Sequence, residues 1–159
     1  MADIIRTDSS NKDFQSLVFL LDADLKERDG EDNLFYAAFN KIDSIKNVVL
    51  VYKNRTAVAC GAFKPFQEKT VEIKRMFVRK DSRGQGLAQE VLHELEKWAT
   101  ELTYNKCVLE TGKRQPEAIR LYEKSGYRRI PNYGQYEHME NSVCMEKDIG
   151  VIPIPQILS

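Results

Sequence analysis

The stretch with the clearest chemical meaning runs from Met76 to Ala88 and contains a basic turn with two glycines, Gly84 and Gly86. It begins as an apolar strand and ends by opening a helix. Glycine lets the backbone approach a ligand closely because it has no Cβ atom. The first turn of a helix offers unpaired N–H groups at the positive end of its dipole. The stretch therefore predicts a phosphate-binding turn, with a ligand-free glycine turn as the alternative.

Two common phosphate-binding motifs do not fit this turn. The dinucleotide fingerprint Gly-x-Gly-x-x-Gly needs a glycine or alanine where the chain has Gln89. The pattern Gly-x-x-x-x-Gly-Lys-Ser/Thr, typical of nucleoside triphosphatases, does not occur in the sequence. The predicted phosphate therefore belongs to another class of ligand.

Two motifs resemble those of the GNAT acetyltransferase superfamily. The residues from Arg83 to Ala88 match its coenzyme A signature, Arg/Gln-x-x-Gly-x-Gly/Ala, between the fourth strand and the helix that follows. The residues from Gln115 to Tyr127 resemble its later motif, Asn-x-x-Ala-x-x-Leu-Tyr-Glu-x-x-Gly-Phe/Tyr. Gln115 replaces the asparagine and carries its amide one methylene further out. The order of predicted elements resembles the family over nearly the whole chain.

The resemblance implies acetyl-CoA as the co-substrate. Backbone N–H groups of the glycine turn would hold its pyrophosphate, and the fourth strand would pair with its pantetheine arm as an added strand does. Arg79, Lys80 and Arg83 would supply positive charge, with a solvated basic turn as the alternative. The cofactor-binding residues implied in this way are Phe77, Val78, Arg83, Gly84, Gln85, Gly86, Leu87, Ala88 and Gln115.

Acetyl transfer to an amine needs a neutral amine, a stabilised oxyanion and a proton for the leaving thiolate. The resemblance implies that Glu72 is the general base, and the alternative is an ion pair with Lys74 or Arg75. It also implies that Tyr122, protonated at neutral pH, is the acid for the thiolate, and the alternative is a core aromatic residue. The N–H of Val78 would meet the oxyanion. Because the amine attacks directly, no cysteine nucleophile is expected.

The acceptor is the least determined part of the prediction. A small amine is favoured over a protein lysine or N-terminus because no extended acidic or aromatic groove stands out in the sequence. A non-catalytic acyl-CoA sensor on the same fold is the rival from another class. The candidate acceptor residues are Asp22, Asp24, Glu27, Arg28, Tyr36 and Asn40 on the first two helices, and Asn132, Tyr133, Gln135, Tyr136 and His138 between the last two strands.

The elements that must position these groups follow from hydrophobic periodicity. The predicted order is β-α-α-β-β-β-α-β-α-β-β, which indicates an α+β fold with a mixed, mostly antiparallel sheet of six to seven strands and helices on both faces. The strands that flank the long amphipathic helix from Leu87 to Leu102 should be parallel. Strand alternation would place Glu72 on the face of Lys74, Met76 and Val78, unless a bulge interrupts the strand.

Composition limits the other possibilities. The 159 residues suit one domain, predicted over 1–149, with an apolar tail at 150–159 that packs on the domain or on a second subunit of a homodimer. Lysine plus arginine and aspartate plus glutamate number 24 each, so no net charge favours nucleic acid or a membrane. The N-terminus lacks a signal-peptide block, and the three distant cysteines indicate buried, reduced thiols of a cytoplasmic protein without a metal site.

Overall fold

The fold is a seven-stranded mixed sheet with helices on both faces, as the sequence predicted. The computed structural model describes residues 2–30 and 44–150. The predicted helix Leu34–Asn40 and nearly all of the apolar tail lie outside these residues. The strands are β1 (Ala2–Thr7), β2 (Asn47–Lys53), β3 (Thr56–Gln67), β4 (Thr70–Val78), β5 (Lys106–Gly112), β6 (Arg128–Ile130) and β7 (Ser142–Asp148).

The sheet order is β1-β2-β3-β4-β5-β7-β6. Its one parallel pair is β4 with β5, and every other neighbouring pair is antiparallel. The parallel pair flanks the long amphipathic helix, which confirms the predicted crossover. The helices are α1 (Lys12–Asp29), α2 (Leu87–Glu101) and α3 (Pro116–Lys124), with short 3₁₀ turns at Lys80–Ser82 and Gly134–Tyr136.

The sequence offers Ser10 or Asn11 as the N-cap of the first helix. In the structure Asn11 caps α1, because its side chain accepts a hydrogen bond from the Phe14 N–H at 3.0 Å. Its apolar residues recur at helical spacing and are buried against one face of the sheet. The residues that form this core are Phe14, Leu17, Val18 and Leu21 of α1 with Val48, Leu50, Cys60, Ala62 and Phe77 of the sheet. Part of the cavity described below lies on this face of the sheet.

Helix α2 covers the opposite face of the sheet. Val91, Leu92, Leu95 and Ala99 are all buried there against residues of β2 to β5. The helix lies close to β3 because Gly61 has no side chain: a Cβ atom at Gly61 would stand 2.5 to 2.9 Å from Met76, Val91 and Leu95. The close contact fixes the start of α2, and with it the glycine turn, relative to β4.

The sequence predicts β3 over Thr56–Phe63, with Pro65 at its end or edge, and β5 over Cys107–Glu110, followed by a loop from Thr111 to Gln115. Both strands are longer than these predictions. β3 continues through Pro65 to Gln67, and its register with β4 is irregular at that point, where a bulge tolerates a residue without an N–H. β5 continues through Thr111 and Gly112 instead of turning into a loop at Thr111. The continuation has a physical cause, since Val143 and Ser142 of β7 pair with these two residues.

The parallel pair separates soon after it begins. β4 and β5 are in register only at Thr70, Val71 and Glu72, although β4 continues to Val78 and β5 to Gly112. The two strands therefore form a fork whose apex lies at Glu72. Pairing of β5 with β7 on its other side holds the diverging strand in place.

A bulge in β4 changes the predicted alternation of its side chains. Between Cys60 and Ala62 of β3 the partner residue changes from Phe77 to Lys74, and Arg75 takes a left-handed φ of 60°. Glu72 and Lys74 lie on the α1 face, but Met76 and Val78 contact the α2 core. The expectation that all four residues share a face is wrong for Met76 and Val78, because the extra residue reverses the alternation.

Candidate active site

A cavity of about 960 Å³ fills the fork between β4 and β5. Its walls come from the second half of α1, the splayed part of β4, the glycine turn with the start of α2, the end of β5, α3, and the loop between β6 and β7. Glu72 stands at its apex, and Tyr122 lies in its wall. The structure therefore brings both predicted catalytic residues to one cavity, although fifty positions separate them in the sequence.

Glu72 is buried, with 4% of its surface exposed. Its Oε2 atom accepts a hydrogen bond from the Tyr133 hydroxyl at 2.7 Å. Arg75 does not pair with it, since the Arg75 guanidinium turns to Asp22 of α1, with 2.7 Å between Nη1 and Oδ1. The ion pair between Arg75 and Glu72, named above as an alternative, therefore does not form.

Two further charged residues line the cavity beside Glu72, namely Lys74 and Glu110. Burial lowers the pKa of Lys74, and the negative charges of Glu72 and Glu110 oppose that shift. Continuing the register beyond Glu72 and Val108 would set Lys74 opposite Glu110 across the fork. Glu110 belongs to neither of the two sequence motifs and was not predicted as a site residue. Its signal was an acidic residue at the end of the apolar run Cys107–Leu109, in the strand parallel to that of Glu72.

Tyr122 is buried in α3, and its ring packs edge-on against Tyr127 with 5.8 Å between the centroids. Burial raises its pKa well above that of an ordinary phenol, and the nearby Glu110 charge adds to the shift. The Tyr122 hydroxyl therefore stays protonated at neutral pH and can donate. Tyr122 therefore packs in the core, which was its alternative role, and also lies in the cavity wall.

The glycine turn joins the cavity to the start of α2. Gly84 and Gly86 have φ values of 81° and 79°, a region that favours glycine. A Cβ atom at either position would meet no atom within 4 Å. Gly86 is the N-cap of α2 and provides no side-chain cap for the first N–H groups. The backbone here forms an open, donor-rich turn of the kind that binds phosphate.

The other predicted cofactor residues divide into two groups. Most line the cavity, and Arg83 among them reaches back to β4, where its Nε donates to the Val78 carbonyl at 2.9 Å. The Gln85 side chain instead accepts a hydrogen bond from Lys53. Arg79 is likewise occupied elsewhere, because its Nε donates to the Ala57 carbonyl at 2.9 Å. The predicted cofactor residues that line the cavity are Phe77, Val78, Arg83, Gly84, Gly86, Leu87, Ala88 and Gln115.

The residues present fit coenzyme A. The open turn with its positive-φ glycines suits a pyrophosphate, and Arg83 adds a cation beside it. The unpaired edge of β4 beyond Glu72 suits a strand-like amide arm. Arg79 N–H donates to the Val58 carbonyl on β3 at 2.8 Å, so the N–H of Val78 points to the other side, where the cleft lies.

Of the predicted acceptor residues within the described ranges, Tyr136 is the one that lines the cavity. The apolar side chains of Leu21 and Leu25 from α1 form part of the wall, and the buried Tyr136 closes it from the loop between β6 and β7. Arg28 joins α1 to α3 through Glu117 at 2.6 Å and pairs with Asp24 at 3.4 Å.

Other predicted acceptor residues hold the loop between β6 and β7 together or face solvent instead. Asn132 Nδ2 donates to the Met139 carbonyl at 3.0 Å and so holds the loop between β6 and β7. The His138 side chain is 93% exposed and does not line the cavity. Tyr36 and Asn40 lie outside the described residues.

The cysteines and the histidines supply no alternative chemistry at the site. All three cysteines are free and buried, as predicted. Burial raises the pKa of both Cys60 and Cys107 to about 12, which keeps these thiols protonated and poorly nucleophilic.

Within the described ranges no three histidine, cysteine, aspartate or glutamate residues are grouped so as to hold a metal ion. No helix in these ranges is long and apolar enough to span a bilayer.

Comparison with known proteins agrees with this geometry. Residues 14–127 match the model of the acetyltransferase (GNAT) family. A protein named IAA acetyltransferase from Azospirillum brasilense is 34% identical over 98 residues, which are 61% of this chain and 64% of that protein. The chain spans less than two thirds of the length of this and the other curated relatives that it matches.

Solved structures share the fold over nearly the whole chain. A protein assigned as an acyl-CoA N-acyltransferase from Klebsiella pneumoniae superposes with a TM-score of 0.78 at 27% identity, covering 94% of this chain and 98% of that one. The PaiA N-acetyltransferase from Thermoplasma acidophilum, solved with coenzyme A, superposes with a TM-score of 0.65 at 14% identity, covering 93% and 99%. The second comparison shows the likeness of fold alone.

Proposed function

Because the chain belongs to the GNAT acetyltransferase family, we propose that it transfers an acetyl group from acetyl-CoA to a primary amine by direct attack of the amine. The observation that carries the proposal is the fork between β4 and β5. It opens directly beyond Glu72, has the glycine turn as part of its wall, and contains the Tyr122 side chain in its cavity. Acetyl-CoA would supply an activated thioester, and the chain would supply orientation and proton transfer.

Glu72 is proposed as the general base. Glu72 is buried and lines the cavity, so its carboxylate can take a proton from an amine bound beside it. Its place at the apex of the fork lets an acceptor approach from the side of Leu21 and Leu25 while the cofactor occupies the cleft beyond. Glu110 adds a second negative charge that would attract a protonated amine into the cavity.

Tyr122 and the backbone of β4 are proposed to handle the charges that develop on the other reacting atoms. The raised pKa of Tyr122 keeps its hydroxyl protonated, so that it would donate a hydrogen bond to the departing thiolate. The N–H of Val78 points toward the cleft and would donate to the developing oxyanion. Gln115, which lines the cavity at the start of α3, would contact the cofactor through its backbone or its longer amide side chain.

A small amine remains the favoured acceptor. Support comes from the apolar side chains of Leu21 and Leu25, which line the cavity together with Tyr136. The Azospirillum brasilense relative is named for IAA rather than for a protein. A protein lysine or an N-terminus is the alternative. The single domain over 1–149, the packed tail, the homodimer and the cytoplasmic location stay predictions.

The direct test is the release of coenzyme A thiol from acetyl-CoA with a panel of acceptors. The panel contains spermidine, free amino acids, an aminoglycoside, a lysine-containing peptide and a peptide with a free N-terminus. We expect thiol release above the acceptor-free background with at least one small amine. Binding of coenzyme A without turnover for any acceptor would overturn the enzymatic proposal and favour an acyl-CoA sensor.

The role of Glu72 is tested by Glu72→Gln, which keeps the shape of the side chain and removes its basicity. We expect a loss of about 10²-fold or more in kcat at pH 7. At pH 9 the loss should be smaller, because more of the acceptor amine is already neutral and needs no base. Equal fractional losses of kcat at pH 7 and at pH 9 would exclude Glu72 as the base. Glu68→Gln, an exposed change in the turn before β4, is the matched control.

A further inference from the structure

The hydroxyl of Tyr133 connects the loop between β6 and β7 to the apex of the fork. It donates to Oε2 of Glu72 at 2.7 Å across 61 positions of sequence. The ring of Tyr133 is held from two sides, by Phe66 with 4.9 Å between centroids and by Tyr136 with 5.8 Å. Phe66 lies in the part of β3 that extends beyond Pro65. One ring from β3 and one from the same loop therefore hold the phenol against the proposed base.

The Tyr133 hydroxyl is a dependable donor. Burial raises its pKa well above that of an ordinary phenol, and the charge of Glu72 and the hydrogen bond to it add to the shift. The phenol therefore keeps its proton throughout the range in which an amine acceptor would be assayed. Its bond to a carboxylate oxygen is a charge-assisted bond, which is shorter and stronger than a neutral one.

The bond has a direct geometric consequence for the carboxylate. A carboxylate has two oxygens, and the donor at Oε2 limits rotation about the last side-chain bond of Glu72. Oε1 is then held in a fixed direction relative to the fork. Fixed orientation of a general base is worth a large factor in rate, because small displacements weaken proton transfer.

We propose that Tyr133 is a positioning residue for Glu72, which fixes one carboxylate oxygen so that the other faces the acceptor amine. The inference rests on the proposed function, since it assigns a role to the base of that reaction. It also gives the loop between β6 and β7 a part in catalysis in addition to any contact with the acceptor. Packing alone does not need the hydroxyl, because Phe66 and Tyr136 contact the ring.

The kinetic test is Tyr133→Phe, which keeps the ring and removes the donor. With the best acceptor of the panel, we expect kcat to fall about tenfold while KM for acetyl-CoA stays unchanged. The melting temperature should fall by a few degrees, because the buried Glu72 carboxylate loses a hydrogen-bond partner, so the rates are measured well below it. Tyr52→Phe is the matched control, because the Tyr52 hydroxyl also donates to a carboxylate, that of Asp13, but outside the cavity. We expect Tyr52→Phe to leave kcat unchanged.

A double-mutant cycle with Glu72→Ala separates positioning from loop packing. Alanine is used because a glutamine amide could still accept the Tyr133 hydrogen bond. If Tyr133 acts through Glu72, adding Tyr133→Phe to Glu72→Ala should cause no further loss of residual rate. A further loss of the same tenfold size, or an unchanged kcat in the single variant, would overturn the inference.

A measurement without substrate keeps the inference distinct from the proposed function. Protein labelled with ¹³C at tyrosine Cζ should show a Tyr133 resonance, assigned by its absence in Tyr133→Phe, that shifts in Glu72→Ala. An unmoved resonance would show that the hydrogen bond does not form and would overturn the inference. If the resonance shifts but wild-type protein releases no thiol with any acceptor, the proposed function fails while the contact stands.

Discussion

At the scale of single residues, the apex of the fork gathers groups that are far apart in the chain. Glu72 and Lys74 come from β4, Glu110 from β5, and Tyr133 from the loop after β6. Burial lowers the pKa of Lys74 and raises that of Tyr133, and the charge of Glu72 opposes the first shift and adds to the second. The groups at the apex therefore act on one another, whereas any one of them alone on a surface would be a solvated side chain.

Tyr122 gives a prediction at this scale. Tyr122→Phe should lower kcat by about 10- to 100-fold, because the leaving thiolate loses its proton donor. The dissociation constant of coenzyme A, measured by calorimetry, should change little, since the ring that fills the cavity wall remains. Tyr104→Phe, which alters a tyrosine that packs on Phe63 away from the cavity, is the control. Loss of coenzyme A binding in Tyr122→Phe would make the hydroxyl a structural group instead.

At the scale of elements, two glycines serve the site for different physical reasons. Gly86 has open space around its missing Cβ but needs a positive φ to end the turn and begin α2. Gly61 has an ordinary backbone but lies against Met76, Val91 and Leu95. The first glycine shapes the turn, and the second allows α2 to approach the sheet.

Gly86→Ala should therefore lower the free energy of unfolding by about 1 kcal/mol, because alanine is strained in a left-handed conformation. Any relaxation of that strain would distort the turn, so the dissociation constant of coenzyme A should rise at least severalfold. Chemical denaturation and calorimetry measure the two effects. Unchanged coenzyme A affinity would contradict a role of this turn in phosphate binding.

Gly61→Ala should affect the stability of the protein more than its affinity for coenzyme A. The added methyl group would lie 2.5 Å from Met76 Sδ and 2.7 Å from Val91 Cγ1, so the core must expand. Overpacking of this kind costs about 1–3 kcal/mol. We expect a lower denaturation midpoint, with a smaller effect on coenzyme A affinity than that of Gly86→Ala. A variant as stable as the wild type would show that α2 can move away from β3 at little cost.

At the scale of the whole molecule, Glu146 connects three strands on the side of the sheet away from β1. It lies on β7, pairs with Arg128 of β6, and has its Oε1 3.5 Å from Nζ of Lys106 on β5. The hydrogen bond from Arg128 is the main cause of a lowered Glu146 pKa, and the Lys106 charge adds to it. The fork depends on this part of the sheet, because β7 holds β5 where it leaves β4.

A lowered folded-state pKa means that Glu146 stabilises the fold above its unfolded pKa, and that this contribution disappears as the pH falls through the folded value. Glu146→Gln should thus destabilise the protein at pH 7, by less than about 1 kcal/mol because the Arg128 side chain is 67% exposed. The difference from the wild type should shrink as the pH falls below about 4.5. Urea denaturation at pH 7 and pH 3.5 measures it. An equal difference at both pH values would rule out the charge as the cause.

Much of the fold could be predicted because its signals are local. The cap at Asn11, the amphipathic spacing of α2 and Pro116 at the start of α3 each act within a few residues. Strand ends were less well predicted, as at Thr111, because pairing with β7 decides where β5 stops. The order of elements then predicted the parallel pair, since a strand–helix–strand crossover has few alternatives.

The sequence by itself determined the glycine turn, the strand that carries Glu72 and the helix that carries Tyr122, because each is a short motif with its own local chemistry. Only the tertiary structure decided which side chains face the cavity. A single bulge at Arg75 turns Met76 and Val78 toward the α2 core, and no local pattern fixes its position. The tertiary structure also brings Glu110 and Tyr133 to the site. Glu110 lies on β5, which diverges from β4, and Tyr133 lies on the loop between β6 and β7. Proximity across the sheet arises from packing and register, and these depend on the whole chain at once.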